Sequence, residues 1–341
     1  MSIRKYWMGL VSTAAIALPV LAHHSDAGVD MESVVAFEGT VREFTWRNPH
    51  VYVIVDVEQN GEPPIAWELQ MAAVTILSRR GWTSETLTPG DQVSVRANPA
   101  EDGRRYGILQ SVEKEGGLAL AAAAKAPDVT PSTTTLAGNW LTDRATVQSY
   151  PGGFDGFFHA LLKLNDNGKV AKAAFSVLSD ENPDASCVGR PTPSALVSTN
   201  LYLMEIDLTH QNEVIVLRSE RFNEIRTVYM DGRPHPDPDV RFATGHAIGR
   251  WDGDRLVIDT ANFADHRSPY QIGVPSGGQK HVVERYRLSE DGTHIDVELT
   301  LDDPEYLSEP LVHSRQLIYS PHLEMLHGDC DEESTSRFLA D

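Results

Sequence analysis

The residues best suited to chemistry lie between positions 226 and 263 of the 341-residue chain. An Asp-Gly pair there separates two runs in which apolar and polar residues alternate, which predicts two strands joined by a tight hairpin turn. Because successive side chains of a strand point to opposite faces, His246 and Arg250 share one face of the first strand. Asp259 of the second strand can join that face, and Arg226 of the preceding strand is expected close by. The sequence therefore predicts a charged cluster on neighbouring strands.

Three interpretations of this cluster stay open. A histidine oriented by an aspartate is the pair used in general acid-base catalysis, because the carboxylate fixes the tautomer and raises the basicity of the imidazole. In that case His246 is the acid or base and Asp259 orients it, while Arg226 or Arg250 stabilises an anion. Alternatively, the same groups line a ligand pocket, or they form a salt-bridged ladder on the outer face of a barrel.

Four further residues are candidates for binding a ligand beside the cluster, because they offer aromatic faces or imidazole hydrogen-bonding groups. They are Tyr229, His235, Trp251 and His281. Apolar walls with a few polar groups are typical of small-molecule sites. The alternative is that the aromatic members of this set fill the core of a barrel.

Three histidines predict a copper site near the amino terminus. If the chain is cleaved after Ala22, His23 offers its α-amine and its imidazole, and His24 adds an amide nitrogen and a second ring. Cu(II) prefers such tetragonal nitrogen ligation, and His50 would complete the set. The alternative is a solvated His-His pair that binds nothing, with His50 as a turn residue.

Several familiar catalytic and cofactor motifs are absent from the sequence. It contains no G-x-S-x-G elbow, no H-E-x-x-H motif, no P-loop, no dinucleotide fingerprint and no C-x-x-C-H haem attachment. His281 and Glu284 are spaced like metal ligands, but on a strand their side chains point to opposite faces. Apart from copper, the sequence predicts no cofactor.

The first 22 residues predict a secretory signal peptide, because a basic pair precedes a short apolar run and small or aliphatic residues stand before a cut after Ala22. No later stretch approaches ~20 apolar residues, so membrane insertion is not expected. Export favours a disulfide between Cys187 and Cys330, the only two cysteines, over two buried thiols. The mature protein is therefore expected in the periplasm or outside the cell.

The formal charge of −20 limits the choice of partners. Nucleic acids and anionic membrane surfaces select for clustered lysine and arginine, so neither is expected as the main partner. A small-molecule ligand remains compatible with this composition, and the sequence names no protein partner.

Hydrophobic alternation predicts an all-β protein with two barrels. Residues 23–115 contain five short strands, with one helix from Ala72 to Arg80 between the third and the fourth, which is the outline of a small OB-like barrel. Residues 116–135 are rich in Ala, Pro, Ser and Thr and predict a linker. Residues 136–341 open with a Gly-x-Trp pattern that resembles the first strand of lipocalin-type barrels. Asn-Gly and Asp-Gly turns, among them Asn167-Gly168, separate about nine or ten strands and favour a larger antiparallel lipocalin-like barrel.

Short motifs are distributed over both parts of the chain. They are HHS at 23–25, GTV at 39–41, WRNPH at 46–50, DGRPHP at 231–236, GH at 245–246, GRW at 249–251, LVIDT at 256–260 and VERY at 283–286. With these motifs the mature chain resembles a group of exported bacterial proteins that combine an OB-like with a lipocalin-like part. The resemblance implies export and this architecture, and it implies no particular activity.

Two functions are compatible with these patterns. The leading hypothesis is an exported protein that binds a small lipophilic molecule in its second barrel, with copper at the mature amino terminus. The rival is a cofactor-independent acid-base enzyme of the isomerase, lyase or hydrolase type, and a scaffold for envelope proteins is a third option. A hydrogen bond between His246 and Asp259 beside a sizeable cavity would favour the enzyme.

Overall fold

The computed structural model describes residues 28–59, 61–114, 118–119, 130–148, 150, 153–266, 269–270 and 272–339. The predicted signal peptide, His23, His24 and most of the predicted linker lie outside the described residues. Two barrels dominate the fold, and the predicted all-β class is confirmed.

The first barrel has five main strands. They are β1 (Val35–Thr45), β2 (Tyr52–Gln59), β3 (Glu62–Gln70), β4 (Gln92–Pro99) and β5 (Tyr106–Lys114). β1 pairs with both β2 and β4, and a parallel pairing of β3 with β5 closes the sheet. This connectivity is that of the predicted OB-like barrel, because the fifth strand lies between the third and the fourth. A short strand β6 (Leu118–Ala119), in the segment predicted as linker, pairs antiparallel with the end of β5.

The predicted helix of the first barrel is present but shorter than expected. Helix α1 runs from Val74 to Ser78 between β3 and β4, and Gly81 follows with a φ of +85°. A positive φ suits glycine, which therefore marks the end of this helical segment.

The second barrel is closed by nine strands. They are β7 (Gly138–Thr142), β8 (Met204–Asp207), β9 (Val214–Ser219), β10 (Glu224–Tyr229), β11 (His246–Asp252), β12 (Arg255–Ala261), β13 (His281–Leu288), β14 (His294–Asp302) and β15 (Leu311–Tyr319). The strands follow one another around the barrel as β7 to β15, and β15 returns to β7. The pairing of β10 with β11 is parallel, unlike the antiparallel arrangement predicted throughout. A loop of residues 230–245 joins these two strands.

Between β7 and β8 the chain is helical, so the predicted strands around Asn167-Gly168 are wrong. Helices α2 (Gly153–Leu161), α3 (Asp166–Ala173) and α4 (Ser194–Val197) occupy this region. The side chain of Asn165 accepts a hydrogen bond from the Gly168 N–H and caps α3. Asn167-Gly168 therefore lies in the first turn of a helix that Asn165 caps. Asparagine is a favourable capping residue, so an Asn-rich stretch can start a helix as well as form a hairpin turn.

The interior of the second barrel is filled mainly by side chains. Trp140 on β7 is fully buried, packs 5.1 Å from the Tyr319 ring and donates its indole N–H to the Leu136 carbonyl. A hydrophobic cluster that includes Leu256, Ile258 and Tyr286 surrounds it. The Gly-x-Trp strand therefore contributes to the barrel core.

The C-terminal segment attaches the second barrel to the first. The predicted disulfide between Cys187 and Cys330 is confirmed, with a Cα–Cα distance of 5.7 Å. Helix α5 (Glu332–Ser336) follows, and Phe338 is buried against Tyr52 and Tyr106 of the first barrel. Among the described residues, no helix is long and apolar enough to cross a membrane.

Candidate functional site

The residues of the predicted charged cluster lie on both sides of the wall of the second barrel. Ile258 belongs to the barrel core, so the neighbouring Asp259 faces outward, as does His246 across the hairpin. Val228 also belongs to the core, and Arg226 lies two residues before it with only 6 % of its surface exposed. Arg226 therefore points into the barrel. The expectation that it lies beside His246 and Asp259 is wrong.

Outside the barrel, three histidines and one aspartate form a continuous chain of hydrogen-bond contacts, which we call the histidine relay. His281 Nε2 lies 2.6 Å from Asp259 Oδ1, and His235 Nε2 lies 3.1 Å from the same oxygen. Nδ1 of His235 lies 3.0 Å from Nδ1 of His246. The structure thus brings together four residues that the sequence proposed for catalysis or ligand binding.

The bonding pattern assigns protons along the relay. Burial raises the pKa of Asp259, but hydrogen bonds from His281 and His235 outweigh that effect and bring the pKa below its usual value. Because an ionised carboxylate only accepts hydrogen bonds, both imidazoles that contact it carry a proton at Nε2. A neutral His235 then accepts at Nδ1 from the Nδ1–H of His246. This tautomer leaves Nε2 of His246 as the unprotonated end of the relay.

His246 lies in an aromatic environment and is 8 % exposed. The ring of Tyr229 stacks on it with centroids 5.2 Å apart, the Phe242 ring lies 5.6 Å away, and the Arg233 guanidinium lies 4.0 Å from the centroid of Tyr229. Burial lowers the pKa of His246, and the nearby His235 and Arg233 lower it further. A neutral imidazole with one free nitrogen can act as a base near neutral pH.

Local sequence features hold the relay in place. His235 lies between two prolines, which restrict its backbone to extended conformations. Gly245 precedes β11 with a φ of +79°, and a Cβ there would lie 2.7 Å from atoms of Phe263 and Thr260. A residue with a side chain would therefore displace the start of the strand that carries His246.

Asn262 fixes the loop over the relay and was not identified from the sequence. Its Nδ2 donates to the carbonyl oxygens of Asp237 and Val240, both at 3.0 Å, and its own carbonyl accepts from Phe242 N–H at 2.9 Å. Its φ of 57° is in the left-handed region, which asparagine tolerates better than most residues. The sequence feature that could have identified it is an asparagine directly after the alternating residues of a strand.

Two predicted residues do not join the relay. Arg250 lies on the outer face of β11 but is exposed and takes no part in the relay contacts. Trp251 is opposite Leu256, on the strand face that points away from the relay, and is 41 % exposed near the turn. Neither residue is positioned to contact a ligand held at His246.

Inside the barrel, Arg226 forms a buried ion pair with Glu284. Glu284 also accepts from Tyr286 Oη at 2.9 Å and from Thr192 Oγ1 at 3.3 Å. Burial raises the pKa of Glu224 to about 7, against the lowering effect of Arg226. The adjoining cavity measures ≈ 20 Å³, which is room for one water and not for a lipophilic ligand.

A larger cavity of ≈ 360 Å³ lies at one end of this barrel, and we call it the barrel-end cavity. Its described lining residues are Arg144, Val147, Gln148, Tyr150, Phe157, Val197, Ser198, Asn200, Leu201 and Arg221. Phe157 and Val197 belong to the barrel core, so the cavity is an open continuation of that core. None of its lining residues was identified from the sequence, because most of them lie in loops and short helices that carry no motif.

The copper prediction stays a prediction, because His23 and His24 lie outside the described residues. His50 is close to Asp184 and Arg221 of the second barrel, and burial lowers its pKa. Its Nδ1 is buried without a hydrogen-bond partner among the described residues. Within the same part of the chain, no group of three or more His, Cys, Asp or Glu side chains is placed to hold a metal ion.

Residues 10–110 match a family of unknown function, DUF6152. No curated protein matches the chain. The DUF6152 match includes His50 and nearly all of the first barrel, whereas the histidine relay and the barrel-end cavity lie beyond it. The comparisons therefore assign no activity to either candidate site.

Proposed function

We propose that the chain is an exported ligand-binding protein and that the barrel-end cavity holds its ligand. The cavity volume carries this proposal, since ≈ 360 Å³ falls within the range of small-molecule sites. Its walls combine apolar side chains with a few polar groups, as in such sites. Export rests on the predicted signal peptide and agrees with the disulfide.

The barrel-end cavity replaces the lumen as the binding site in this proposal. The cavity beside Arg226 and Glu284 has room for only about one water, and large side chains such as Trp140 and Tyr286 occupy the core. At the barrel end, by contrast, Tyr150 and Phe157 lie edge to face at 5.8 Å and form one apolar wall. A lipophilic ligand there would cover apolar surface that is now open to water.

A cavity-filling substitution tests the proposal. Leu201 lines the cavity and is 44 % exposed, so Leu201→Trp should fill part of the volume without disturbing the core. Val312, 69 % exposed on β15, supplies the matched control Val312→Trp. Binding of Nile red, a neutral apolar dye, would be measured by fluorescence for wild type and both variants. We expect saturable binding that Leu201→Trp weakens and Val312→Trp leaves unchanged; binding insensitive to Leu201→Trp would exclude this cavity.

The histidine relay favours a second candidate function, an acid-base enzyme with His246 as the base. The specific observation is that Asp259 orients His235, which in turn fixes the tautomer of His246. In this role His246 Nε2 takes a proton from water or substrate, and the relay stabilises the resulting imidazolium. The surrounding loop leaves Asp259 and His281 partly exposed, with side-chain exposures of 32 % and 44 %.

Hydrolysis of a small activated ester provides a first test of this enzyme. The rate would be compared between wild type, His246→Gln and His210→Gln, where His210 is an exposed histidine far along the chain from the relay. If the relay is catalytic, only His246→Gln lowers the rate of hydrolysis. The wild-type rate should then depend on pH through a single deprotonation. Equal rates for both variants would remove ester hydrolysis from the functions of the relay.

A further inference from the structure

The charged residues in the described lining of the barrel-end cavity are all cations, although the protein is acidic. Among its described lining residues, Arg144 and Arg221 are the charged ones, and no carboxylate belongs to the lining. The chain as a whole carries a formal charge of −20. Two guanidinium groups beside an apolar cavity therefore mark a local reversal of the charge of the protein.

Arg144 has donors available at the cavity. Its Nε and Nη2 donate to the Asn200 carbonyl at 2.9 and 2.6 Å, and these bonds fix the plane of the guanidinium. Nη1 makes no hydrogen bond to any described residue, and the side chain is exposed. A planar guanidinium held in this way matches the two oxygens of a carboxylate.

Arg221 brings a second guanidinium to the same cavity. Its Nη1 donates to Ser198 Oγ at 3.0 Å, and its Nη2 donates to Asp184 Oδ1 at 3.1 Å. Asp184 also pairs with the buried Arg190, so one carboxylate is shared between two guanidinium groups. Arg221 therefore adds a second guanidinium group to the lining of the cavity.

Arg315 lies directly behind the cavity wall and is 4 % exposed. Its guanidinium is 5.9 Å from the centroid of Phe157, and its Nη1 donates to the Val197 carbonyl and to Asn200 Oδ1 at 3.0 and 3.3 Å. Its Nε and Nη2 are buried without a partner among the described residues, and none of the carboxylates described there pairs with it. Burial lowers the pKa of Arg315 only to about 10, so it stays a cation near neutral pH.

An unpaired buried cation is costly, and a nearby anion offsets that cost. We infer that the cavity binds an amphiphile with one carboxylate and an apolar tail, an inference that rests on the proposed ligand-binding function. The tail packs against Tyr150 and Leu201, and the carboxylate accepts hydrogen bonds from Arg144 beside Arg221. The charge of Arg315 acts through the wall and strengthens the preference for an anion.

A pair of probes with the same tail tests the inference. Decanoate and decanol differ in the head group, and each would be titrated by calorimetry into wild type, Arg144→Gln and Arg42→Gln. Arg42 is an exposed residue of the first barrel, so its substitution controls for the loss of one positive charge. Arg221→Gln would be measured as well, with decanol binding as evidence that its cavity is intact. We expect wild type to bind decanoate about tenfold more tightly than decanol, as for a charge-assisted hydrogen-bonded pair.

Each outcome discriminates. The inference is supported if Arg144→Gln loses the preference for decanoate and keeps its affinity for decanol, while Arg42→Gln behaves like wild type. Equal affinities for the two probes in wild type overturn it while the proposed function stands. A decanoate preference that survives both Arg144→Gln and Arg221→Gln overturns it too, because the carboxylate then binds elsewhere. Failure of both probes to bind overturns the inference together with the proposed function.

Discussion

His281 Nε2 lies 2.6 Å from Oδ1 of Asp259, on the outer face of the second barrel. The same hydrogen bond raises the pKa of His281, against the lowering effect of burial, and contributes to the low pKa of Asp259. The two groups therefore form an ion pair whenever His281 is protonated. Because both side chains are about a third or more exposed, solvent screens this pair.

Asp259→Asn tests the coupling between these two residues. The raised pKa of His281 means that the pair stabilises the fold fully below its unfolded value of 6.5 and loses this contribution as the pH rises through the folded pKa. We expect Asp259→Asn to cost about 1 kcal/mol near pH 5.5 and less near pH 8, measured by urea unfolding. NMR titration should show a lower pKa for His281 in the variant. Asp302→Asn is the control, since Asp302 is opposite His281 on the next strand but makes no side-chain hydrogen bond to it. Equal losses of stability in the two variants would contradict the pairing of Asp259 with His281.

Removing Arg226 should have a much larger effect, because its partner Glu284 has no exposed surface. Arg226→Met leaves a buried carboxylate without its cation and is expected to cost on the order of 3–5 kcal/mol. The double variant Arg226→Met/Glu284→Gln should recover part of that loss. Urea unfolding of the three proteins measures both quantities, and a loss below about 1 kcal/mol for Arg226→Met would mean that water compensates the charge.

The contrast between Arg226 and Asp259 shows what alternation can predict. Within one hairpin the turn fixes the register, so the common face of His246 and Asp259 followed from the sequence. β10 is joined to β11 by a loop and pairs with it in parallel, so nothing in the sequence fixed the face of Arg226 relative to the hairpin. The histidine relay could not be predicted in full, because it includes His235, whose position depends on the path of that loop.

Strands were predicted better than the segments between them. β13 (His281–Leu288) is rich in Val, Tyr and other residues that favour strands, so a strand could be predicted there although its apolar and polar residues do not alternate strictly. The stretch around Asn165 was assigned to strands, although its side chain caps a helix, since Asn-Gly is compatible with both turns and helix starts. The barrel-end cavity is formed by loops and short helices, and the contact of Arg144 with Asn200 joins segments that no local pattern relates.

The disulfide is expected to be a major source of stability. Cys187 and Cys330 are separated by 143 residues, and closing a loop of this length restricts the unfolded chain by about 5 kcal/mol in the chain-entropy estimate. Cys187→Ser/Cys330→Ser should lose about that amount in urea unfolding under oxidising conditions. Wild type measured with a reductant should resemble the double variant, and a loss under about 1 kcal/mol in both would show that the C-terminal contacts hold without the bridge.

His313 should make the fold sensitive to acid. It lies on β15 with its ring 4.7 Å from Phe157, and its Nε2 is buried without a partner among the described residues. Burial, assisted by Arg315, lowers its pKa to about 4. The unfolded chain therefore takes up the proton first as the pH falls below 6.5, so stability decreases between about pH 6.5 and pH 4.

We expect this single group to remove about 2 kcal/mol over that interval, after allowance for its partial exposure to solvent. His313→Gln should unfold with a shallower dependence on pH than wild type, measured by urea unfolding at several pH values. His322→Gln, at an exposed loop position, is the control and should keep the wild-type slope. Identical slopes for His313→Gln and wild type would show that the imidazole finds a proton acceptor or water in the folded barrel, and would place its pKa close to that of the unfolded chain.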